Sequence, residues 1–322
     1  MKVFYNGFNL HRQFPSSENL VESFIDHVYQ DLENIEVSYH NAVLLVANVL
    51  VLRGAKNETL PIPGKITQIS CNEDKVLVLL DNGELLKITD CVTKVPKLMD
   101  LDCDDYITRI SCGSKLTTAL TKKGVVYNVP NKLDFDGREI VDMKTGREHC
   151  LLLDTTGNVF SFGRGSRGQL GHGSLEDESE PKLIEALAGI RIEAIEAGGW
   201  HSCALSQEGD LYRWGWNGNG QLGLSDREDS GEDGVAVMAT PQVLDVDYNI
   251  RKIGCGNRHT VVLTEEGELY GCGWNKYKQL KNDKKENFYK MTCLADFSKE
   301  IVETIKCGPW NTLVLCKERK LG

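Results

Sequence analysis

The chain has 322 residues, a formal net charge of −10, 41% hydrophobic residues, and 31 glycines against 8 prolines. This charge disfavours direct DNA binding, which draws its affinity from clustered Lys and Arg, and makes basic partners, histone tails included, electrostatically easier. Eleven cysteines without a C-x-x-C pair suit a reducing compartment rather than a disulfide framework.

In chain order, the N-terminal stretch MKVFYNGFNLHRQF has no signal-like apolar region. The longest apolar run, Ala42 to Leu52, is interrupted by Asn48 and is too short to span a bilayer, so a soluble, intracellular chain is expected. One pattern then recurs, I-x-x-G-x-x-H-x-x-x-L-x-x-x-G-x-[LV]-[YF]-x-W-G, with copies or remnants starting at Ile35, Ile69, Ile110, Met143, Ile195, Ile253 and Ile305. Its fullest copy is IEAGGWHSCALSQEGDLYRWGWNGNGQLG. Self-similarity of this kind marks a repeat architecture.

That copy reads as a strand at Ile195–Ala197, a turn through Trp200 and His201, a strand at Ser202–Ser206, a Glu208-Gly209 turn and a third strand at Asp210–Trp214. Equivalent turns stand at Asp81-Asn82-Gly83, Lys123-Gly124, Thr156-Gly157 and Glu266-Gly267, where Gly supplies the positive φ of a tight hairpin. Pro96, Pro181 and Pro241 precede apolar residues, and each is expected to open a fourth strand, because a first strand position tolerates a missing donor. Four antiparallel strands make one propeller blade.

Seven copies predict an all-β, seven-bladed propeller, a single domain over 1–322. Residues 143–316 hold the well-matched repeats, 35–130 degenerate blades, and 224–240 a strongly acidic loop expected to be mobile. This loop either steers a basic partner to the rim or is a solvated insertion. The last copy, IKCGPWNTLVLC, stops after its second strand, while Val3-Phe4-Tyr5-Asn6-Gly7-Phe8-Asn9 resembles the strand running to Trp214-Gly215-Trp216-Asn217. Residues 1–9 are therefore expected to complete the last blade and remove its free edge.

His149, His201 and His259 share one repeat position, occupied elsewhere by Asn41 and Asn311. Asn replaces His as a hydrogen-bond donor but not as a proton carrier, so these residues are expected to be structural, tying a hairpin to the backbone. Cys71, Cys112, Cys255 and Cys307 share another position with Thr145 and Ala197, which points to packing rather than to a tetrahedral metal shell. The segment Gly163-Arg164-Gly165-Ser166-Arg167-Gly168 lacks the G-K-[ST] and βαβ context of a phosphate loop, although Arg164 and Arg167 could hold an acidic partner. No nucleophile–base arrangement stands out, and neither catalysis nor a cofactor is expected.

The surface remains. The turns carrying Glu148, Trp200, Arg258 and Trp310 are expected on one rim, together with the loops at Arg164, Trp216-Asn217 and Trp274-Asn275. Trp and Arg on one face are the material of interaction hot spots. Trp216 and Trp274 have packing between blades as a competing role. Trp200 and Trp310 sit at turn tips, where packing has less claim.

The strings SFGRGSRGQLGHG, AGGWHS, RWGWNGNGQLG, CGNRHT and CGPWNT resemble the regulator of chromosome condensation repeat family, from Met143 to Cys316. Phe162 and Cys272 depart from its Trp, and Lys278 from its Gly. Similarity to a small single-propeller member implies a nuclear, chromatin-associated adaptor, monomeric before complex formation, that binds a JmjC-type 2-oxoglutarate oxygenase or histone demethylase. The alternative implied by the family's founding member is guanine-nucleotide exchange on a small GTPase.

Overall fold

Short β-rich segments punctuated by glycine turns fold here as hairpins stacked side by side. The computed structural model describes all residues except 73–74, 90–96, 99–104, 136–137, 225–235 and 318–322. Seven four-stranded antiparallel sheets follow one another round a ring. Blade 1 comprises Leu32–Val37, Asn41–Val46, Val49–Gly54 and Glu58–Leu60; blade 2, Ile66–Cys71, Lys75–Leu80, Leu85–Thr89 and Lys97–Leu98; blade 3, Ile107–Cys112, Thr117–Thr121, Val126–Asn128 and Asn131–Lys132. Blade 4 comprises Ile140–Thr145, His149–Asp154, Val159–Gly163 and Glu178–Leu183; blade 5, Ile192–Ala197, His201–Ser206, Leu211–Trp216 and Val237–Val243; blade 6, Ile250–Cys255, His259–Thr264, Glu268–Trp274 and Asn287–Asp296.

Blade 7 is assembled from both ends of the chain: Ile301–Cys307 and Asn311–Lys317, then Lys2–Phe8 and Leu20–Val28. Lys2–Phe8 pairs in continuous register with the C-terminal strand, from Lys2 opposite Cys316 to Gly7 opposite Asn311. The closing blade is thus shared between the termini, and its fourth strand, Leu20–Val28, also comes from the N-terminal side. Val3, Tyr5, Leu313 and Leu315 of blade 7 pack with Leu32, Ile35 and Leu44 of blade 1, so the seam has a core of its own. Asn6 adds a side-chain clamp, its Nδ2 donating to the carbonyls of Lys278 and Leu280 in blade 6 at 3.0 Å each.

The second strand of each blade lies between its neighbours and is buried almost throughout, as in HCLLLD of blade 4 and HTVVLT of blade 6. Core clusters therefore bridge blades; Leu151, Leu153 and Val159 meet Ile192, Ile195 and Trp214. First strands face inward and wall a central channel of about 360 Å³. Cys71, Cys112, Cys255 and Cys307 lie on this wall beside Thr145 and Ala197, and burial pushes their thiols up, to about 12 for Cys112. Lys144–Glu196 and Lys306–Glu36, each at 2.6 Å, neutralise charge within the channel.

The fourth strands correct one expectation. Pro181 and Pro241 lie inside their strands, not at their starts. Both fall where register with the third strand shifts, between the Ser161 and Gly163 pairings and between those of Arg213 and Gly215. An outer edge strand at a bulge has no ladder bond there for proline to break. Pro96 and the acidic stretch 225–235 lie outside the described residues; beyond that stretch, Val237 already begins a strand within the span expected to be loop. In blades 1 to 3 all four strands are present, but the fourth strands have only two or three residues, and the third strand of blade 3 is also shortened to three.

Candidate partner-binding face

The well-matched repeats owe their spacing to contacts between blades. In blade 4, Gln169 is fully buried, and its Oε1 accepts from the Arg167 N–H at 2.8 Å, closing the loop after the third strand. The Gln169 carbonyl then accepts from Ser202 Oγ of blade 5 at 2.9 Å, and that oxygen lies 2.9 Å from His149 Nε2. The same relay links His201, Thr260 and the Gln221 carbonyl, and again His259, Thr312 and the Gln279 carbonyl. Each hydroxyl spends its proton on the carbonyl, so the ring nitrogen must donate. Burial holds His149 and His201 down to about 3 and His259 to about 4, which keeps them neutral. Sequence reasoning aimed these rings at backbone; the structure aims them at the next blade's hydroxyl. The two asparagines at this position do reach backbone: Asn311 donates to the Phe8 carbonyl, locking the seam, and Asn41 Oδ1 accepts from the Lys56 N–H at 3.1 Å.

The Gly of Trp-Gly also has a definite task. Gly215 has φ +102°, and a Cβ there would come 2.6 Å from the Trp200 carbonyl. The close approach lets the Trp216 N–H donate to that carbonyl at 2.8 Å, while Trp274 N–H does the same to Arg258. The hairpin between the first two strands is thereby tied to the end of the third, on one face of the ring. Neighbouring hairpins are also linked, Lys115 N–H to the Arg147 carbonyl at 2.9 Å, Arg147 to Gly199 at 3.3 Å and Gly199 to Gly256 at 3.2 Å.

On this scaffold the side chains form a continuous band. Arg147 lies 5.0 Å and Arg167 4.4 Å from the Trp200 ring, and Trp200 meets Trp216 edge-on at 5.6 Å. Arg167 also covers Trp216 at 5.1 Å, and Arg258 reaches Trp216 at 5.3 Å and Trp274 at 5.2 Å. Trp274 contacts Tyr277 at 5.3 Å, and Tyr277 stacks on Trp310 at 4.7 Å. Trp310 continues the band to Tyr39 at 4.2 Å and Phe8 at 5.2 Å. The indoles are half-buried, with part of each surface open.

The structure brings Trp200, Trp216, Trp274, Arg167 and Arg258 together. Glu148 sits half-buried on the neighbouring hairpin, and exposed Arg164 lies 3.8 Å from Asp177 at its edge. Asn217 and Asn275 require correction: both are buried inside their loops. Asn217 Oδ1 accepts from Leu222 N–H, and Asn275 Oδ1 from Leu280 and Lys281, so neither offers a partner its side chain. Trp310 is also more committed than a turn tip suggests, because the N-terminal strand lays Phe8 against it. Arg147, Tyr277, Tyr39 and Phe8 were missed from sequence. Two had a signal: Phe8 follows Gly7 as Trp216 follows Gly215, and Tyr277 precedes Gln279 as Arg167 precedes Gln169.

Geometry and repeat sequence define one class. The regulator of chromosome condensation (RCC1) repeat matches residues 156–205 and 208–263, and a second form of the same repeat matches 140–169, 192–221 and 250–279. Residues 140–279 thus carry RCC1 repeats, within a seven-bladed propeller. Among individual proteins it is similar to RCC1 domain-containing protein 1 of Mus musculus, 41% identical over 209 residues, and of Homo sapiens, 41% identical over 211 residues. Those matches cover 55% of this chain in each case, and 55% and 56% of the relatives, so the chain spans about half the length of either. In fold it is similar to Prp20p of Saccharomyces cerevisiae, at 17% identity and a TM-score of 0.83 over 99% of this chain and 92% of that one. That protein is described with its binding properties to Gsp1p and histones.

Proposed function

We propose that this chain is a non-catalytic interaction propeller that holds a protein partner on its arginine–tryptophan face. The observation that carries this reading is the unbroken band from Arg147 through Trp200, Trp216 and Trp274 to Trp310, held open on rigid hairpins. Trp and Arg in such a setting provide large contact area at low entropic cost. Protein partners of the Prp20p propeller support the assignment of a protein ligand.

The resemblance to RCC1 domain-containing protein 1 supports a finer reading: a nuclear, chromatin-associated adaptor for a JmjC-type 2-oxoglutarate oxygenase. Iron and 2-oxoglutarate would then belong to the partner, and histones would be met indirectly. The test is titration of the full chain against purified JmjC-domain oxygenases, with Trp200→Ala beside it. Saturable binding weakened by about tenfold or more in the variant is expected, at an unchanged thermal midpoint; full binding by Trp200→Ala would remove the face from the account. Exchange activity is the competing reading, favoured by the fold shared with Prp20p. Stimulated nucleotide release from a small GTPase at sub-stoichiometric chain would put it first.

A further inference from the structure

We propose that the arginine–tryptophan face selects an acidic polypeptide segment, with two carboxylates meeting Arg167 and Arg258 and an apolar side chain lying on the indoles between them. The proposal rests on the face being the partner surface and adds the chemistry of what it accepts.

Arg167 and Arg258 are half-buried, and the central carbon of each guanidinium lies over an indole: Arg167 at 4.4 Å from Trp200, Arg258 at 5.3 Å from Trp216. Neither guanidinium has an ion pair or hydrogen bond among the described residues. Three other partly buried cations among the described residues are matched by carboxylates: Lys2 with Glu300 at 2.9 Å, Lys144 with Glu196 and Lys306 with Glu36 at 2.6 Å. A cation–π contact uses none of a guanidinium's N–H donors, which remain for the fork that suits a carboxylate. The two arginines are therefore positioned but unmatched.

Their backbone is fixed before any ligand arrives. The Arg167 N–H is held by Gln169 Oε1 at 2.8 Å, and the Arg258 carbonyl accepts from Trp274 at 2.8 Å. Little ordering remains to oppose binding. Because both arginines lie within 6 Å of Trp200 and Trp216, their charges are no more than about 10 Å apart, a span that about three residues of extended chain cover. The net charge of −10 repels acidic ligands at long range, so any that bind must be held by a local feature such as these forks.

The test is tryptophan fluorescence titration of the full chain with a Glu-rich peptide carrying Phe at every third position, its Gln and Lys counterparts, and a single-stranded oligonucleotide. Binding of the Glu peptide about tenfold tighter than the Gln peptide is expected, with about a tenfold loss in Arg167→Gln or Arg258→Gln. Arg251→Gln, an exposed change at the far end of blade 6, should bind as the parent does. Equal binding of Glu and Gln peptides, tighter binding of the Lys peptide or oligonucleotide, or full binding by both arginine variants would overturn the proposal. Protein-partner binding lost in Trp200→Ala but kept in both arginine variants would leave the face standing and remove acidic selection. Partner binding kept in Trp200→Ala would remove the face itself.

Discussion

At the residue scale, the repeat's signature positions are explained by close approaches and by neutral donors. Gly189 and Gly215 both have positive φ, +85° and +102°, but a Cβ at Gly189 meets nothing within 4 Å whereas one at Gly215 strikes the Trp200 carbonyl. Gly189→Ala should therefore cost about 1 kcal/mol for the backbone alone, and Gly215→Ala on the order of 3 kcal/mol, read from urea midpoints. The relay histidines make a second prediction. Their folded pKa values of about 3 and 4 lie below the ordinary 6.5, so the unfolded chain takes up protons first as pH falls. Stability should be unaffected by them above pH 6.5 and decline progressively below it, by up to about 1.4 kcal/mol per pH unit for each ring. His201→Asn, the residue type that Asn311 places in blade 7, removes one titration. Its urea midpoint should fall less between pH 7 and pH 4.5 than the parent's; an equal fall would take His201 out of the mechanism.

At the element scale, the N-terminal strand is a structural member of the last blade. It buries Val3 and Tyr5 and satisfies Asn311 through the Phe8 carbonyl. Removing residues 1–9 exposes this seam, strips Leu20–Val28 of its pairing partner and should cost on the order of 5 kcal/mol from the two large side chains alone. A truncated chain with the parent's thermal midpoint would refute the clasp. The strand was legible because Gly7-Phe8-Asn9 repeats Gly215-Trp216-Asn217 and the last copy lacked its ending. Leu20–Val28 was not, because an outer strand is half exposed, with pattern iBeeiieee, and carries no strict alternation. The prolines were misplaced for a related reason: sequence marks where a donor is missing, but not whether a bulge passes over that place.

At the scale of the whole molecule, closure couples blades that share few signatures. The five tryptophans lie at 200, 214, 216, 274 and 310, all in blades 5 to 7, so their fluorescence reports on that half of the ring. A ring closed through blade 7 should unfold as one unit, with fluorescence and far-ultraviolet dichroism coincident in urea. Separation of the two curves in the parent would show that blades 1 to 3 unfold independently. The same closure gathers the binding face, since Trp310 of blade 7 meets Tyr39 of blade 1 and, through Trp274, Arg258 of blade 6.

The sequence by itself determined the number of blades, the shared closing blade and the turn chemistry, because each depends on local spacing and on glycines that no other residue replaces cheaply. It also brought tryptophan and arginine to one rim. Tertiary structure decided which rim residues are available. Asn217 and Asn275 turn inward because the loop N–H groups that follow them need acceptors. Arg167 and Arg258 lie over indoles, where no carboxylate of the described residues pairs with them. Pairing and burial of side chains from different blades leave no trace in the spacing of any one repeat, and only the packed ring fixes them.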